Sequence, residues 1–326
     1  MDRHRRQIVR AFAAGFATSR LRMAYAQTYP TRVIKIIVAS APGGIVDVEV
    51  RRLAPYLSQA LGQPVIIDNR PGASNTIGTA VGAKAAPDGY TLTWGTTSPL
   101  SLAPALMPNL PYDPLRDFEP IVQYGENPAL LVVNGALGVR DVPGLIKLAK
   151  SRPGQLNYAS NGPAGSLHIL GELLKLTLGI DIVHVPYKAV AESLLSVAAN
   201  ETQLAFDFPV TSAPHIRSGK VVGLFVTGTE RVPLIPDVPT TVEIGYPQMV
   251  VTLVGGLLAP AGTPKDIVQR LNSEMLKIMR NPDIVASMHS TGIRPVGGSP
   301  EHFRKVIADE LVKWQRMVKI TGVTMQ

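Results

Sequence analysis

The sequence predicts an α/β protein built of two units of similar length. Short β-branched runs alternate with helix-periodic segments along most of the 326 residues. The turns between them are marked by a large complement of glycine and proline, 29 and 28 residues. At 45% apolar and 17% charged, the chain can bury a large core, and disorder is excluded for most of it. The length suits two domains rather than a small module.

Residues 1–26 stand apart. An arginine-rich start (Arg3, Arg5, Arg6, Arg10) precedes the small apolar stretch Ala11–Ala17, and Ala24-Tyr25-Ala26 has the small-x-small form of a cleavage site. This predicts an export signal and a periplasmic protein. Arg5-Arg6 leaves the general secretory and twin-arginine routes both open, and a basic tail is the alternative. The segment also explains the charge. The chain carries +8, but residues 1–26 hold +5 of it and leave +3 scattered over the remainder. With no basic block and 6% aromatic residues, no nucleic-acid partner is expected. The absence of cysteine excludes a disulfide scaffold, a thiol nucleophile and thiolate metal sites. No other run reaches 18 apolar residues, the length of a membrane span.

The first unit opens with the apolar run Val33–Ala39, then Pro42-Gly43-Gly44, then Val46, Val50, Leu53, Leu57 and Leu61 at helical spacing: strand, glycine turn, helix. Val65–Asp68 and Tyr90–Trp94 are the next strands. Five prolines between Pro104 and Pro120 predict an irregular connection along the surface. The second unit repeats the grammar. Strand Leu130–Asn134 is followed by helix Val142–Lys150, strand Asn157–Ala159, a glycine-containing loop, helix Leu167–Leu178 and strand Asp181–Val185. A helix from about Ala191 and strands Gln203–Phe206 and Val221–Thr227 complete it. Two helices close the chain, one opening at Thr263-Pro264 and one at Ser299-Pro300-Glu301. No residue-level repeat relates the two units.

Two strand-to-helix loops carry the functional signal. Ser40-Ala41-Pro42-Gly43-Gly44 precedes the helix with Asp47, and Ser160-Asn161-Gly162-Pro163-Ala164-Gly165-Ser166 precedes the helix with His168. A helix start presents unpaired N–H groups and the positive end of its dipole, and glycine lets a ligand approach the backbone. Neither loop has the spacing of a nucleotide fingerprint. Small carboxylates suit such donors better than nucleotides do. Asp47, in the first turn of its helix, is expected to orient the loop rather than touch an anion.

Enzyme signatures are missing from the sequence: there is no G-x-S-x-G, no H-E-x-x-H, and the six histidines are dispersed. His168 and Glu172 share a helix face and could form an acid–base pair. His168 is better explained as ordering the second loop, and His184 as a hydrogen-bonded structural group.

Ala41-Pro42-Gly43-Gly44 with Asp47, Leu61-Gly62-Gln63-Pro64, Asp68-Asn69-Arg70-Pro71-Gly72-Ala73, Ala86-Pro87-Asp88-Gly89-Tyr90, Val183-His184-Val185-Pro186-Tyr187-Lys188, Pro236-Asp237-Val238-Pro239-Thr240 and Ala259-Pro260-Ala261-Gly262-Thr263-Pro264 occur in that order. In this the chain resembles the tripartite tricarboxylate transporter substrate-binding receptors, the Bug receptors, over about residues 29–326. The resemblance implies a two-lobed periplasmic-binding-protein (type II, Venus-flytrap) architecture, each lobe a central sheet flanked by helices. Lobe one would combine 27–125 with 230–326 and lobe two would cover 126–229, with crossings near Gly125–Asn127 and Thr227–Glu230. It further implies a monomeric receptor without a cofactor, capturing a mono- or dicarboxylate, aromatic ones included, and delivering it to membrane permease subunits. A ligand-sensing receptor for a sensor kinase and, less well supported, a hydrolase-type enzyme are the alternatives.

The ligand contacts carried over are Ser40, Ala41, Gly43, Gly44 and Asp47 in one lobe, with Ser160, Asn161, Gly165, Ser166, Ala189, Asp207 and Phe208 in the other. The chain departs from the family's common pattern at Ser40, Val46, Gly165, Ala189 and Phe208. The body of its ligand is therefore expected to differ, with Phe208 supplying an aromatic wall.

Overall fold

The computed structural model describes residues 29–325, so the expected export segment lies outside the described residues. Two mixed sheets, each flanked by helices, organise the chain. The first receives β1 (Ile34–Val38), α1 (Ile45–Leu61), β2 (Val65–Asn69), α2 (Thr76–Ala83) and β3 (Thr91–Thr96). After the short helix α3 (Ala103–Leu106), β4 (Phe118–Pro128) joins this sheet and runs, through Ala129 alone, into the second. There the chain forms β5 (Leu130–Asn134), α4 (Val142–Ser151), β6 (Asn157–Ser160), α5 (Ser166–Leu178) and β7 (Val183–Pro186). It continues with α6 (Val190–Ala198), β8 (Leu204–Asp207), α7 (Pro209–Arg217) and β9 (Val221–Val226). It returns to the first sheet with β10 (Thr252–Pro260), α8 (Lys265–Met279), α9 (Pro282–Ser290) and β11 (Arg294–Gly297), and ends on α10 (Pro300–Thr321).

The strand orders are β11-β4-β10-β3-β1-β2 and β7-β6-β8-β5-β9. In the first sheet β1 is parallel to β2 and β3, and β10 is antiparallel to β3. In the second, β6 is parallel to β7 and β8, and β5 is antiparallel to β8. The unit β1-α1-β2-α2-β3 is thus repeated as β6-α5-β7-α6-β8. The repeat is topological, with no counterpart in residue identity. It puts the two glycine loops at equivalent places, beyond the C-terminal ends of the central strands, where open parallel sheets hold ligands.

Burial follows the periodicity. Ile34, Ile36 and Val38 of β1 meet Val50, Leu53 and Leu57 of α1 in one core, and Leu131 and Val133 of β5 meet Leu145, Leu167, Leu170 and Leu174 in the other. Each such side chain contributes roughly 1.5–3 kcal/mol on burial. No helix of the described residues is long and apolar enough to cross a membrane.

The structure departs from the sequence expectation in three places. The chain stays with the second sheet beyond the expected crossing at Thr227–Glu230: Val232, Ile235 and Val238 pack with Leu130 and Val132, and Met249 and Val251 join the other core of that lobe. The chain returns at Val251–Thr252, where Thr227, just after β9, ties the outgoing segment at Ala129 to the returning one at Val251. Its N–H donates to the Ala129 carbonyl (2.8 Å), its hydroxyl accepts from the Ala129 N–H (2.9 Å), and its carbonyl accepts from the Val251 N–H (2.9 Å). Secondly, α10 serves both lobes, with Phe303 and Ile307 packed on Leu100, Tyr112 and Leu258 while Trp314 and Met317 enter the second lobe's core. Thirdly, the proline-rich connection is not wholly superficial. Tyr112 is 3% exposed, and its hydroxyl donates to the Pro99 carbonyl (2.7 Å). Prolines forbid regular hydrogen bonding there but not burial.

Candidate functional site

A cavity of about 240 Å³ opens between the two sheets. Ile45 and Val46 of α1, Trp94 of β3 and Tyr124 of β4 line it from one side, Ser166 of α5 and Phe208 from the other. A second cavity of about 210 Å³ adjoins it and shares Ile45, Glu49, Tyr124 and Ile293.

The first loop is held by a charged network. Asp47 is 1% exposed. Its carboxylate accepts the Gly43 N–H (2.8 Å), the Arg51 Nε–H (2.9 Å) and the Asn69 Nδ2–H (2.8 Å). Asn69 also donates to the Ser40 carbonyl (3.1 Å), so the strand β2 fastens the loop from behind. The Arg51 hydrogen bond, against the opposing effect of burial, holds the Asp47 carboxyl down at about 2. Gly43 has φ +78°, a conformation that favours glycine. The expectation that Asp47 orients the loop agrees with these contacts. The expectation that the Gly43 and Gly44 amides face a ligand does not: Gly43 donates to Asp47, and Gly44 donates to the Ala41 carbonyl (3.2 Å). Gly44 is the N-cap of α1, so the free donors belong to the next residues, Ile45 and Val46, both in the cavity wall.

The groups that touch the second loop are neutral, with the Glu172–Lys175 ion pair (2.8 Å) behind them, where Glu172 accepts from the Tyr158 hydroxyl and lies 4.0 Å from His168 Nε2. The Ala164 N–H donates to His168 Nδ1 (3.0 Å), which leaves the ring proton on Nε2. His168 stacks on His184 with ring centroids 3.8 Å apart and planes 7° from parallel, and Tyr158 packs against both rings, 4.9 Å from His184 and 6.3 Å from His168. Burial pushes both imidazoles down, His184 to about 4 with a further contribution from His168, while Glu172 opposes the shift at both rings. Ser160 is fully buried; its hydroxyl lies 2.7 Å from His184 Nε2 and donates to the Gly162 carbonyl (3.1 Å). It is therefore committed to the loop and not to a ligand. Gly165 caps α5 at φ −72°, ψ 161°, almost the angles of Gly44, −70° and 164°. The two helix starts are thus near copies. Ser166, the first residue of α5, stands in the cavity wall.

The remaining expected residues divide. Phe208 lines the cavity and caps α7. Asp207 is 1% exposed and turns the other way: Thr211 Oγ1 donates to it (2.8 Å), as does Ser212 Oγ, so it fastens the first turn of α7, and burial raises its carboxyl. Ala189 is the exposed N-cap of α6, away from the cavity lining, and Ala41 is exposed at the outer edge of its loop. The Ser40 hydroxyl and the Asn161 side-chain oxygen are buried without a hydrogen-bond partner among the described residues.

Sequence reasoning missed Trp94, Tyr124, Glu49 and Asn75. Trp94 and Tyr124 meet edge to face at 5.2 Å and floor the cavity. Trp94 stands near the C-terminal end of β3, a place the strand-end rule singles out in advance. Asn75 ends a run of three left-handed residues, Ala73, Ser74 and Asn75, with φ of 45°, 53° and 71°. Such backbone strain is concentrated at functional sites. The Ser98 hydroxyl supports the run by donating to the Ser74 carbonyl (3.0 Å), and both Asn75 and Ser98 reach the cavity.

Comparison with known proteins is consistent with this geometry. Residues 49–323 match the model of the tripartite tricarboxylate transporter family receptors. Protein BugT of Bordetella pertussis is 36% identical over 92% of this chain and 93% of its own. Among solved structures, R. palustris Rpa4515 with adipate is 32% identical with a TM-score of 0.81, covering 91% of this chain and 99% of that one. MatC from Rhodopseudomonas palustris with bound malate is 31% identical with a TM-score of 0.76, covering 89% and 100%.

Proposed function

This chain belongs to the tripartite tricarboxylate transporter receptor family, and from that premise we propose that it is an exported receptor which closes its two lobes on a small organic carboxylate and presents it to membrane permease subunits. The family is one of periplasmic solute-binding receptors rather than enzymes. The observation that carries the reading is the pair of near-identical helix starts, at Gly44 and Gly165, whose next residues line one cavity from opposite lobes.

Each start offers unpaired N–H donors and a fixed positive dipole end, and a carboxylate has two oxygens to share between them. No lysine, arginine or histidine lines the larger cavity. The rings of Trp94, Tyr124 and Phe208 suit an apolar or aromatic body between the polar ends. The lobes would rotate about the two crossings, at Ala129 and at Val251–Thr252, that Thr227 ties together, while α10, anchored in both, limits the amplitude.

The test is a thermal-shift screen of the mature chain over mono-, di- and aromatic carboxylates with sugars and nucleotides as controls. Carboxylates are expected to raise the melting temperature by mass action, equivalent to about 2.7 kcal/mol at a hundredfold excess over Kd. Shifts produced by sugars or nucleotides alone would refute the reading.

A further inference from the structure

Glu49 is the unexplained residue of the cleft. It stands on α1 one turn beyond Ile45, on the face that looks into the site, and lies in the wall of both cavities where they adjoin. Its setting differs from that of every neighbouring acid. Asp47 accepts hydrogen bonds from Gly43, Arg51 and Asn69, and Glu126 pairs with Arg294 at 2.7 Å. The Glu49 carboxyl has no hydrogen-bond or ion-pair partner among the described residues. Arg52, the nearest cation to act on it, lines only the smaller cavity.

The surroundings of Glu49 favour a positive charge. Trp94 and Tyr124 present aromatic rings to the same space, while the charge of Glu126 at its rim is taken up by Arg294. An aromatic face beside an unpaired carboxylate attracts ammonium groups, and a second ligand carboxylate at this place would meet Glu49 with no cation in the wall of the larger cavity to offset it. We infer that Glu49 is a specificity-determining residue that receives the ammonium end of a zwitterionic ligand whose carboxylate end sits at the helix starts. The ligand class is an amino acid with separated charges, in preference to a dicarboxylate of the same length. This rests on the carboxylate-receptor reading and goes beyond it by naming the group at the other end.

Burial pushes the Glu49 carboxyl up to about 8, against a small opposing effect of Arg52. An acid left without a counter-ion in a half-closed cleft behaves in this way, and an arriving ammonium restores the charged form. Asp47, two residues earlier, shows the opposite case, a carboxyl held down because its partners are already in place.

The experiment is isothermal titration of the mature chain with matched pairs of ligands: ω-amino acids of four to six carbons against succinate, glutarate and adipate, with straight-chain monocarboxylates as neutral-tailed controls. In at least one pair the amino acid should bind tenfold or more tightly than the dicarboxylate. Glu49→Gln, which keeps size and hydrogen-bonding capacity, should bring that ratio to threefold or less. A preference for the dicarboxylate in every pair, or an unaltered ratio in Glu49→Gln, overturns the assignment of Glu49 while monocarboxylate binding leaves the receptor reading standing. If no carboxylate of any kind binds, the anion site itself is refuted and both readings fall. The wild-type comparison stands without the variant, so a folding defect in Glu49→Gln does not spare the inference.

Discussion

The two glycine loops do the same structural work with different chemistry. The loop before α1 is fastened by a buried carboxylate, a half-exposed guanidinium and an amide. The loop before α5 is fastened by two stacked neutral imidazoles, a tyrosine and a buried hydroxyl. The helix starts they present have nearly the same backbone angles. A common geometry is therefore compatible with unrelated side-chain scaffolds, and each scaffold brings its own sensitivity to pH and to mutation.

The largest expected difference follows from Asp47→Ala. It removes the acceptor for Gly43, Arg51 and Asn69 at once and should cost about 2–3 kcal/mol in urea unfolding, less than a fully buried ion pair because Arg51 keeps access to water. Carboxylate affinity should fall at least tenfold by calorimetry. Unchanged affinity would show that the first loop needs no such scaffold.

Acid separates the two loops next. The folded-state pKa values of His168 and His184 are depressed, so the neutral stack contributes stability that is complete above about pH 6.5 and is lost as pH falls toward about 4. Asp47 is also depressed, to about 2, so its contribution persists down to about pH 3.8 and is lost only below that. Ligand affinity and melting temperature should thus fall between pH 6.5 and 4 through the second loop while the first remains intact. His184→Gln should flatten that slope, and a slope unaffected by it would assign the acid sensitivity elsewhere.

A smaller contrast lies within the second loop. Ser166→Ala removes a hydroxyl from the cavity wall and should weaken carboxylate binding by roughly three- to tenfold with little change in melting temperature. Ser160→Ala removes a committed structural hydroxyl and should do the reverse, costing about 1 kcal/mol of stability with a lesser effect on binding. Binding isotherms and melting curves of the two variants, taken together, test whether these serines divide the labour in this way.

The smallest effects belong to the N-cap glycines. Their φ values near −70° are open to any residue, so only space matters. A methyl at Gly44 would stand 3.2 Å from the Ala41 backbone carbonyl, and one at Gly165 would stand 3.0 Å from the movable Asn161 side-chain oxygen. Gly165→Ala should therefore cost less than about 0.5 kcal/mol, and Gly44→Ala somewhat more, on thermal melts. The opposite order would mean that Asn161 is the more rigid neighbour.

Most of the elements flanking the site were legible in the sequence because their signals are local. The Val46–Leu61 spacing predicted α1, and Ser299-Pro300 predicted α10, where Ser299 Oγ accepts the His302 N–H (3.2 Å). Strand β10 was obscured by Gly255-Gly256, which weakens a strand pattern. The glycine at 256 is required by close approach, since a Cβ there would lie 2.3 Å from the Val122 carbonyl of β4. Helices α2, α7 and α9 are short, and α7 holds two prolines, so their periodicity is faint.

The sequence by itself determined the α/β class, most of the framework elements and the two glycine-marked helix starts, because periodicity and caps act over a few residues. Only the tertiary structure decided which donors remain free and which walls the cavity has. Ser160 was a plausible ligand contact until His184, 24 residues away, claimed it. Trp94, Tyr124 and Phe208 come from three separate segments, β3, β4 and the residue after β8, and Glu49 is conspicuous only because no hydrogen-bond or ion-pair partner among the described residues reaches it. A polar group's availability depends on what the rest of the chain brings within hydrogen-bonding distance, and that is settled when the two lobes assemble.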